Sequence, residues 1–272
     1  MKYITGVLLL LATITAKVNS GKQCQCKCDE ERLDREPSSV DDRYATCREE
    51  MMGNITNGDL LSRELQADPS FADAWLEAGS CNRTVANLTK LHITALSVYT
   101  NENRTFPEMF DTDTRSFGPD VNVYRRYFPY KSLHFLLTDA LRLLRAGNEA
   151  ESDQEGTGCL LVYTRSRRSG DMQGEVGDPV RIGHFILAST RRYSASFDLT
   201  IRTCHGTILP QFTSLHCRSY SGLNVLVPPY ELFRVAAVKK GYRKWENDMA
   251  REFYLESIGT LNTLNCAMTS VM

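Results

Sequence analysis

Past Ala16 the sequence has no apolar run long enough to cross a bilayer, no surplus of either charge and no low-complexity tract or repeat. With 32 Lys+Arg against 33 Asp+Glu the formal net charge is −1. That balance argues against a basic nucleic-acid footprint and against an acidic, disordered chain. Chemistry-bearing motifs are equally sparse. The chain lacks Gly-x-Gly-x-x-Gly after a strand, a Walker loop, His-Glu-x-x-His and Gly-x-Ser-x-Gly, which removes the common dinucleotide, nucleotide, zinc-protease and serine-hydrolase readings. Its five histidines are scattered: His92 and His134 fall in helical patterns, where packing accounts for them. His184 and His205 fall at strand positions near where a cleft could open, and are minor catalytic candidates. The Arg165, Arg167, Arg168 group reads as a solvated turn before it reads as an anion site.

What is present points to export. Lys2 precedes an uncharged stretch from Tyr3 to Ala16, and small residues follow at Val18 and Ser20. This is the three-part pattern of a secretory signal over residues 1–20, too short for a membrane span. Loss of Lys2 and Lys17 with that leader leaves a mature net charge of −3. Four Asn-x-Ser/Thr acceptors, at Asn54, Asn82, Asn87 and Asn103, cluster in the N-terminal half and predict glycosylation of one face. The last residues, Asn265 to Met272, carry no hydrophobic tail, so no membrane anchor is read there.

In an oxidising compartment the nine cysteines read as disulfides before metal ligands. Cys24, Cys26 and Cys28 stand in a tight group within a cysteine-rich segment, residues 21–40. No second cluster completes a zinc site, so no metal is expected. The odd count leaves at least one cysteine free or bridged to another chain.

Residues 41–145 read as helical. Phe71, Ala74, Trp75 and Ala78 share a face, as do Leu91, Ala95, Val98 and Tyr99. From Lys131, Leu133, Leu136, Leu137, Ala140, Leu141 and Leu144 recur at three and four residues, placing Lys131, Asp139 and Arg142 outside and a stop at Gly147. After a polar connector, residues 158–266 shift to short β-type runs: Cys159–Tyr163, Val180–Phe185, Phe197–Cys204, Thr207–Leu209, Asn224–Val227 and Leu232–Val238. Helices and strands in blocks argue an α+β fold rather than a doubly wound parallel sheet.

Several segments, in order, resemble the vertebrate ecto-ADP-ribosyltransferases specific for arginine. They are Val40-Asp41-Asp42-Arg43-Tyr44 with Cys47, Phe71-Ala72-Asp73-Ala74-Trp75, and Phe128-Pro129-Tyr130-Lys131-Ser132-Leu133. Val162-Tyr163, Gly183-His184-Phe185, Thr203-Cys204-His205-Gly206 and Asn224-Val225-Leu226-Val227-Pro228-Pro229-Tyr230-Glu231 continue the series. The resemblance implies a helical N-terminal part and a C-terminal two-sheet β core with NAD, the co-substrate, held in a cleft. It also implies disulfides Cys47–Cys266 and Cys159–Cys204, and an extracellular protein as acceptor or ligand. Cys81 and Cys217 have no place in that pattern.

The same resemblance locates the active site and finds it altered. The family's phosphate-gripping Arg after Val-Tyr is here Thr164, with Arg165 one residue late and therefore on the other face of a regular strand. Its Phe-x-Ser-Thr-Ser is Phe185-Ile186-Leu187-Ala188-Ser189, keeping only the last serine. The aromatic that would stack on nicotinamide is Tyr193 or Phe197. The family's Glu-x-Glu is Gly222-Leu223-Asn224, so an amide replaces the carboxylate that stabilises the developing ribosyl cation. No Glu occurs between Glu175 and Glu231, and Pro228-Pro229 separates the latter from the site. The reading is a weak or inactive member of the family. Two alternatives stay open: an active enzyme with a rearranged site, and a non-enzymatic recognition protein whose cleft is plugged by Leu187 and Leu223.

Overall fold

The computed structural model describes residues 39–80, 84–101, 103–147, 158–165, 174–192, 198–210, 224–243 and 248–267. Gly222, Leu223, Tyr193, Phe197, Asn82, the leader, the Cys24–Cys28 group, Cys81 and Cys217 lie outside them.

Among the described residues seven helices come first, in the order α1 (Arg48–Thr56), α2 (Leu60–Ala67), α3 (Pro69–Ala78), α4 (Lys90–Tyr99), α5 (Thr105–Ser116), α6 (Val121–Tyr127) and α7 (Lys131–Gly147). Local chemistry sets their ends. Asp68 caps α3 by accepting from Ser70 N and Phe71 N, with Pro69 in the first turn, and Asp120 caps α6 the same way. The start of α7 is capped from outside. Glu64 of α2 accepts from Lys131 N (2.9 Å) and Ser132 N (3.0 Å), and burial pushes its carboxyl up to about 7. Leu133, Leu136, Leu137, Ala140 and Leu141 of α7 are fully buried, as their spacing predicts. The polar side of α7 departs from expectation: Lys131 and Asp139 are buried and Arg142 alone is exposed. Burial of Asp139 is possible because Arg48, Arg142 and His92 all donate to it, holding its carboxyl well below the usual carboxylate range. Similarly α4 is buried on every side from His92 to Tyr99, not along one stripe.

Eight strands follow: β1 (Leu160–Thr164), β2 (Pro179–Val180), β3 (Ile186–Ser189), β4 (Leu199–Thr203), β5 (Thr207–Ile208), β6 (Asn224–Val227), β7 (Glu231–Arg243) and β8 (Asp248–Thr260). The expected run Val180–Phe185 is not one strand. It breaks after Val180, and Phe185 turns into the helical core against Tyr99, Phe110 and His134. β7 is longer than its pattern indicated, and β8 was not foreseen. The ladder order is β2-β7-β8-β4-β1-β3-β6-β5, with β4 and β8 parallel. The two halves of the sheet, β2-β7-β8-β4-β1 and β3-β6-β5, join at one registered pair, Tyr163 with Ser189. Apolar side chains form two cores. One, around α7, includes Phe71, Leu96, Phe110, Phe185 and Leu226; the other, on the sheet, includes Val162, Ile201, Val225, Phe233 and Phe253.

Both disulfides implied by the resemblance form: Cys47–Cys266 across 219 residues and Cys159–Cys204 across 45. Chain-entropy arguments give about 4–5 kcal/mol each. The first is reinforced by buried carboxylates. Asp41 accepts from Thr263 Oγ1 (2.7 Å), Thr263 N (3.0 Å), Leu264 N (3.0 Å) and Arg181 Nη1 (3.2 Å), and Asp42 accepts from Cys266 N (3.0 Å) and Tyr44 N (2.8 Å). Chain segments more than 200 residues apart are tied there by charge-assisted bonds.

Candidate functional site

Three short strands carry the residues singled out above. Tyr163 pairs with Ser189 and Ser189 pairs with Asn224, so the three stand in one row across β1, β3 and β6. Residues opposite one another in antiparallel ladders share a face. Two positions along the same face come Leu187 and Leu226, also paired. Leu226 is fully buried and Leu187 packs against the same helical core. The position where the resemblance calls for a hydroxyl is thus an apolar one, continuous with the α7 core. At the head of the row, Ser189 Oγ accepts from Arg191 N (3.0 Å), and both Ser189 and Asn224 remain half-buried.

Thr164 ends β1. Its hydroxyl donates to the Leu187 carbonyl (3.2 Å), fastening β1 to β3 beyond their single registered pair. Arg165 lies just outside the ladder. Alternation, on which its expected face rests, holds only within a strand, and the β1–β4 register ends at Thr164–Leu199 without a bulge. Thr164 and Arg165 accordingly line the same cavity, of about 760 Å³. Its remaining walls come from α5 and Arg104 just before it, Tyr99 of α4, Leu199 of β4 and residues 182–186, with Arg104, Arg115 and His184 as cationic or titratable members and Glu108 and Asp111 as acidic ones. Leu187 also reaches this cavity, whereas Ser189 and Asn224 do not line it. The five called positions within the described residues therefore sort into two adjoining groups: Thr164, Arg165 and Leu187 on the cavity, and Ser189 and Asn224 in the row beside it.

The histidines divide likewise. His184 is on the cavity wall, with Nδ1 3.1 Å from the Ile182 carbonyl, and lies in a bend rather than a strand. His205 follows Cys204 in the bend after β4; burial, with Arg145 and Arg43 nearby, lowers it to about 4, so it is neutral at pH 7. His134 is wholly buried, 2.9 Å from Tyr44 Oη, and burial lowers it to about 3. Glu231, the first glutamate after Glu175, is fully buried at the start of β7. It accepts from Thr203 Oγ1, Cys204 N (2.7 Å) and His205 N (3.2 Å), and burial raises its carboxyl. It secures the bend after β4 and is absent from the cavity lining. Sequence reasoning missed Arg104, Arg115 and Asp111 as cavity residues; α5 and the cap position before it carry them at no recognisable motif spacing.

Helices followed by a mixed sheet, with a cavity where the first core strand meets the Phe185–Ser189 segment, define the mono-ADP-ribosyltransferase class of fold. The solved structure of the eucaryotic mono-ADP-ribosyltransferase ART2.2 superposes with a TM-score of 0.64 at 25% identity, covering 86% of this chain and 98% of that one. A mutant of the same protein, solved in complex with NADH, matches equally well. Sequence comparison agrees. Ecto-ADP-ribosyltransferase 4 of Mus musculus is 29% identical over 271 residues, covering 96% of this chain and 83% of that protein. The GPI-linked NAD(P)(+)--arginine ADP-ribosyltransferase 1 of Mus musculus is 30% identical over 257 residues, covering 86% and 72%. The sequence profile of NAD:arginine ADP-ribosyltransferases matches residues 33–253, and the chain belongs to that family.

Proposed function

We propose that the chain is a secreted, glycosylated member of the family in which transfer of ADP-ribose from NAD to protein arginine is lost or strongly reduced. One observation carries this reading. The row at the junction of the two half-sheets offers Ser189 and the Asn224 amide, with Leu187 on the same face, and supplies no carboxylate. Cleavage of the nicotinamide–ribose bond develops positive charge on the ribose, which needs an anion held close by. Asn224 hydrogen-bonds but does not neutralise charge. Glu231 does not substitute, since its oxygens are engaged by Thr203, Cys204 and His205.

In this reading NAD is the ligand, Thr164 and Arg165 face its phosphates, and Ser189 and Asn224 approach its ribose. Arg165 restores the positive charge that Thr164 lacks, which favours binding over turnover. An extracellular protein is the acceptor or partner. Two disulfides support export, and Asn54, Asn87 and Asn103 are exposed, as glycosylation requires. Among the described residues no helix is long and apolar enough to cross a membrane.

Calorimetric titration of the glycosylated protein with NAD, paired with labelled-NAD transfer to an arginine-rich acceptor, tests the reading. Saturable binding without transfer is the expected result. Rapid transfer would show a working site, and absence of binding would leave a recognition protein with a closed cleft.

A further inference from the structure

A second cavity, of about 170 Å³, lies between residues 43–48 and α7. Arg43, Arg48, Thr138, Asp139 and Arg142 line it, with the buried ring of Phe135 as an apolar wall. None of the residues assigned above to the NAD cleft takes part. Three guanidiniums meet one carboxylate here, so the ionised lining carries two positive charges in excess.

The carboxylate is already fully served. Asp139 accepts from Arg48 Nε (2.6 Å), Arg142 Nε (2.9 Å) and His92 Nε2 (3.1 Å). The His92 tautomer follows from its other nitrogen, which accepts from Thr89 N (3.1 Å) and leaves Nε2–H to donate. Each arginine uses its Nε on Asp139, and no hydrogen bond to a described residue uses the Nη groups of Arg48 or Arg142. Arg43 donates from Nη1 to Thr260 Oγ1 (2.8 Å), with its guanidinium 5.4 Å from the Tyr230 ring centre, which fixes it in place.

Thr138 supplies the second, independent observation. It is 4% exposed, and its hydroxyl has no hydrogen-bond partner among the described residues. A helical threonine ordinarily returns its hydroxyl to the carbonyl one turn back, and a buried hydroxyl left unbonded is costly. Here it stands on the wall of a cavity rich in surplus donors. The matching ligand is an anion of one or two negative charges with more acceptor oxygens than the two of a carboxylate.

We infer that this cavity binds a tetrahedral oxyanion, a sulfate or phosphate group, gripped by Arg43, Arg48 and Arg142 and hydrogen-bonded by Thr138. Arginine forks suit such groups in geometry as well as charge. The group could arrive as a free ion or as an ester on a saccharide; the sulfate ester keeps three terminal oxygens and one negative charge, the free ion four and two.

The test is calorimetric titration of the full chain with sodium sulfate, and separately with galactose 6-sulfate against plain galactose, at constant ionic strength set with chloride. Saturable one-to-one sulfate binding is expected, weakened at least tenfold in Arg43→Gln and Arg142→Gln, both exposed side chains; in the second Asp139 keeps Arg48 and His92 as donors. Thr138→Val is the stringent control. It removes a hydroxyl that bonds nothing internal, so the melting temperature in chloride should hold while sulfate affinity drops at least threefold. Binding of the sugar sulfate as tightly as the free ion identifies an ester ligand, and binding of the free ion alone identifies a solution anion. No saturable binding of either by the folded wild-type protein, or equal binding by all three variants, overturns the inference.

Discussion

Returning a carboxylate to the head of β6 should return chemistry. Asn224 is half-buried and paired with Ser189, an environment suited to an effective dielectric of about 20 rather than 80. A full negative charge ~4 Å from a ribosyl cation is then worth ~4 kcal/mol, or about three decades in rate. Gly222→Glu adds a group able to orient and deprotonate an acceptor arginine, worth a further ~10²–10⁴-fold on transfer but not on hydrolysis. The paired variant Gly222→Glu/Asn224→Glu should therefore release nicotinamide from NAD about a thousandfold faster than wild type, read by chromatography. Leu187→Ser on top of it completes the row but removes an apolar side chain packed against the α7 core. Its gain in rate is expected to come with a loss of ~2 kcal/mol or more in stability. A folded double variant that binds NAD by calorimetry and shows no faster nicotinamide release would refute the electrostatic reasoning, since the cofactor and the charge would both be in place.

Other outcomes follow from the packing. Asp41→Asn removes the anion facing the buried Arg181 guanidinium and sets an amide against N–H donors; about 3 kcal/mol should be lost in urea denaturation. Cys47→Ser with Cys266→Ser should cost up to ~5 kcal/mol, slightly more than opening Cys159–Cys204, because the closed loop is longer. His134, lowered to about 3, stays neutral in the native state while the unfolded chain protonates near 6.5. Its contribution is present above that value and is lost as pH falls, with a slope approaching ~1.4 kcal/mol per pH unit. Glu64, raised to about 7, acts in the opposite sense, adding stability as pH drops from 7 towards 4.5. The clean readout is consequently the difference between wild type and His134→Gln in denaturant midpoints at pH 7 and pH 5. An identical pH slope in the two proteins would contradict the assignment.

Local pattern made part of this molecule legible. The periodicity of α7 picked out Leu133, Leu136, Leu137, Ala140, Leu141 and Leu144 as buried, although residues 131–141 are buried on every side, and Asn224–Val227 was read with its observed limits. Local pattern failed where distant partners decide. Asp139 looked like a surface residue of α7 until Arg48 arrived from α1, 91 positions away. Asp41 gave no sign that its partners would be Arg181, Thr263 and Leu264. β8 escaped notice because Glu252 and Glu256 dilute the alternation of Phe253 and Leu255, although pairing with both β4 and β7 makes it central. At the candidate site, motif order picked out Ser189 and Asn224, which pair across β3 and β6, and Thr164, which lines the neighbouring cavity. The face of Arg165 does not follow from alternation, which ends with the strand at Thr164. Arg104, at the cap of α5, and Arg115, in its last turn, reach the cavity only through tertiary packing.

The central claim is that a site furnished with an amide and a leucine does not break the nicotinamide bond at an enzymatic rate. Time-resolved measurement of nicotinamide released from saturating NAD by the purified wild-type protein tests it most directly. Release indistinguishable from a protein-free control, or slower than the paired glutamate variant by about three decades, is predicted. Sustained turnover that rises in proportion to the wild-type protein and disappears in Asn224→Ala would contradict it.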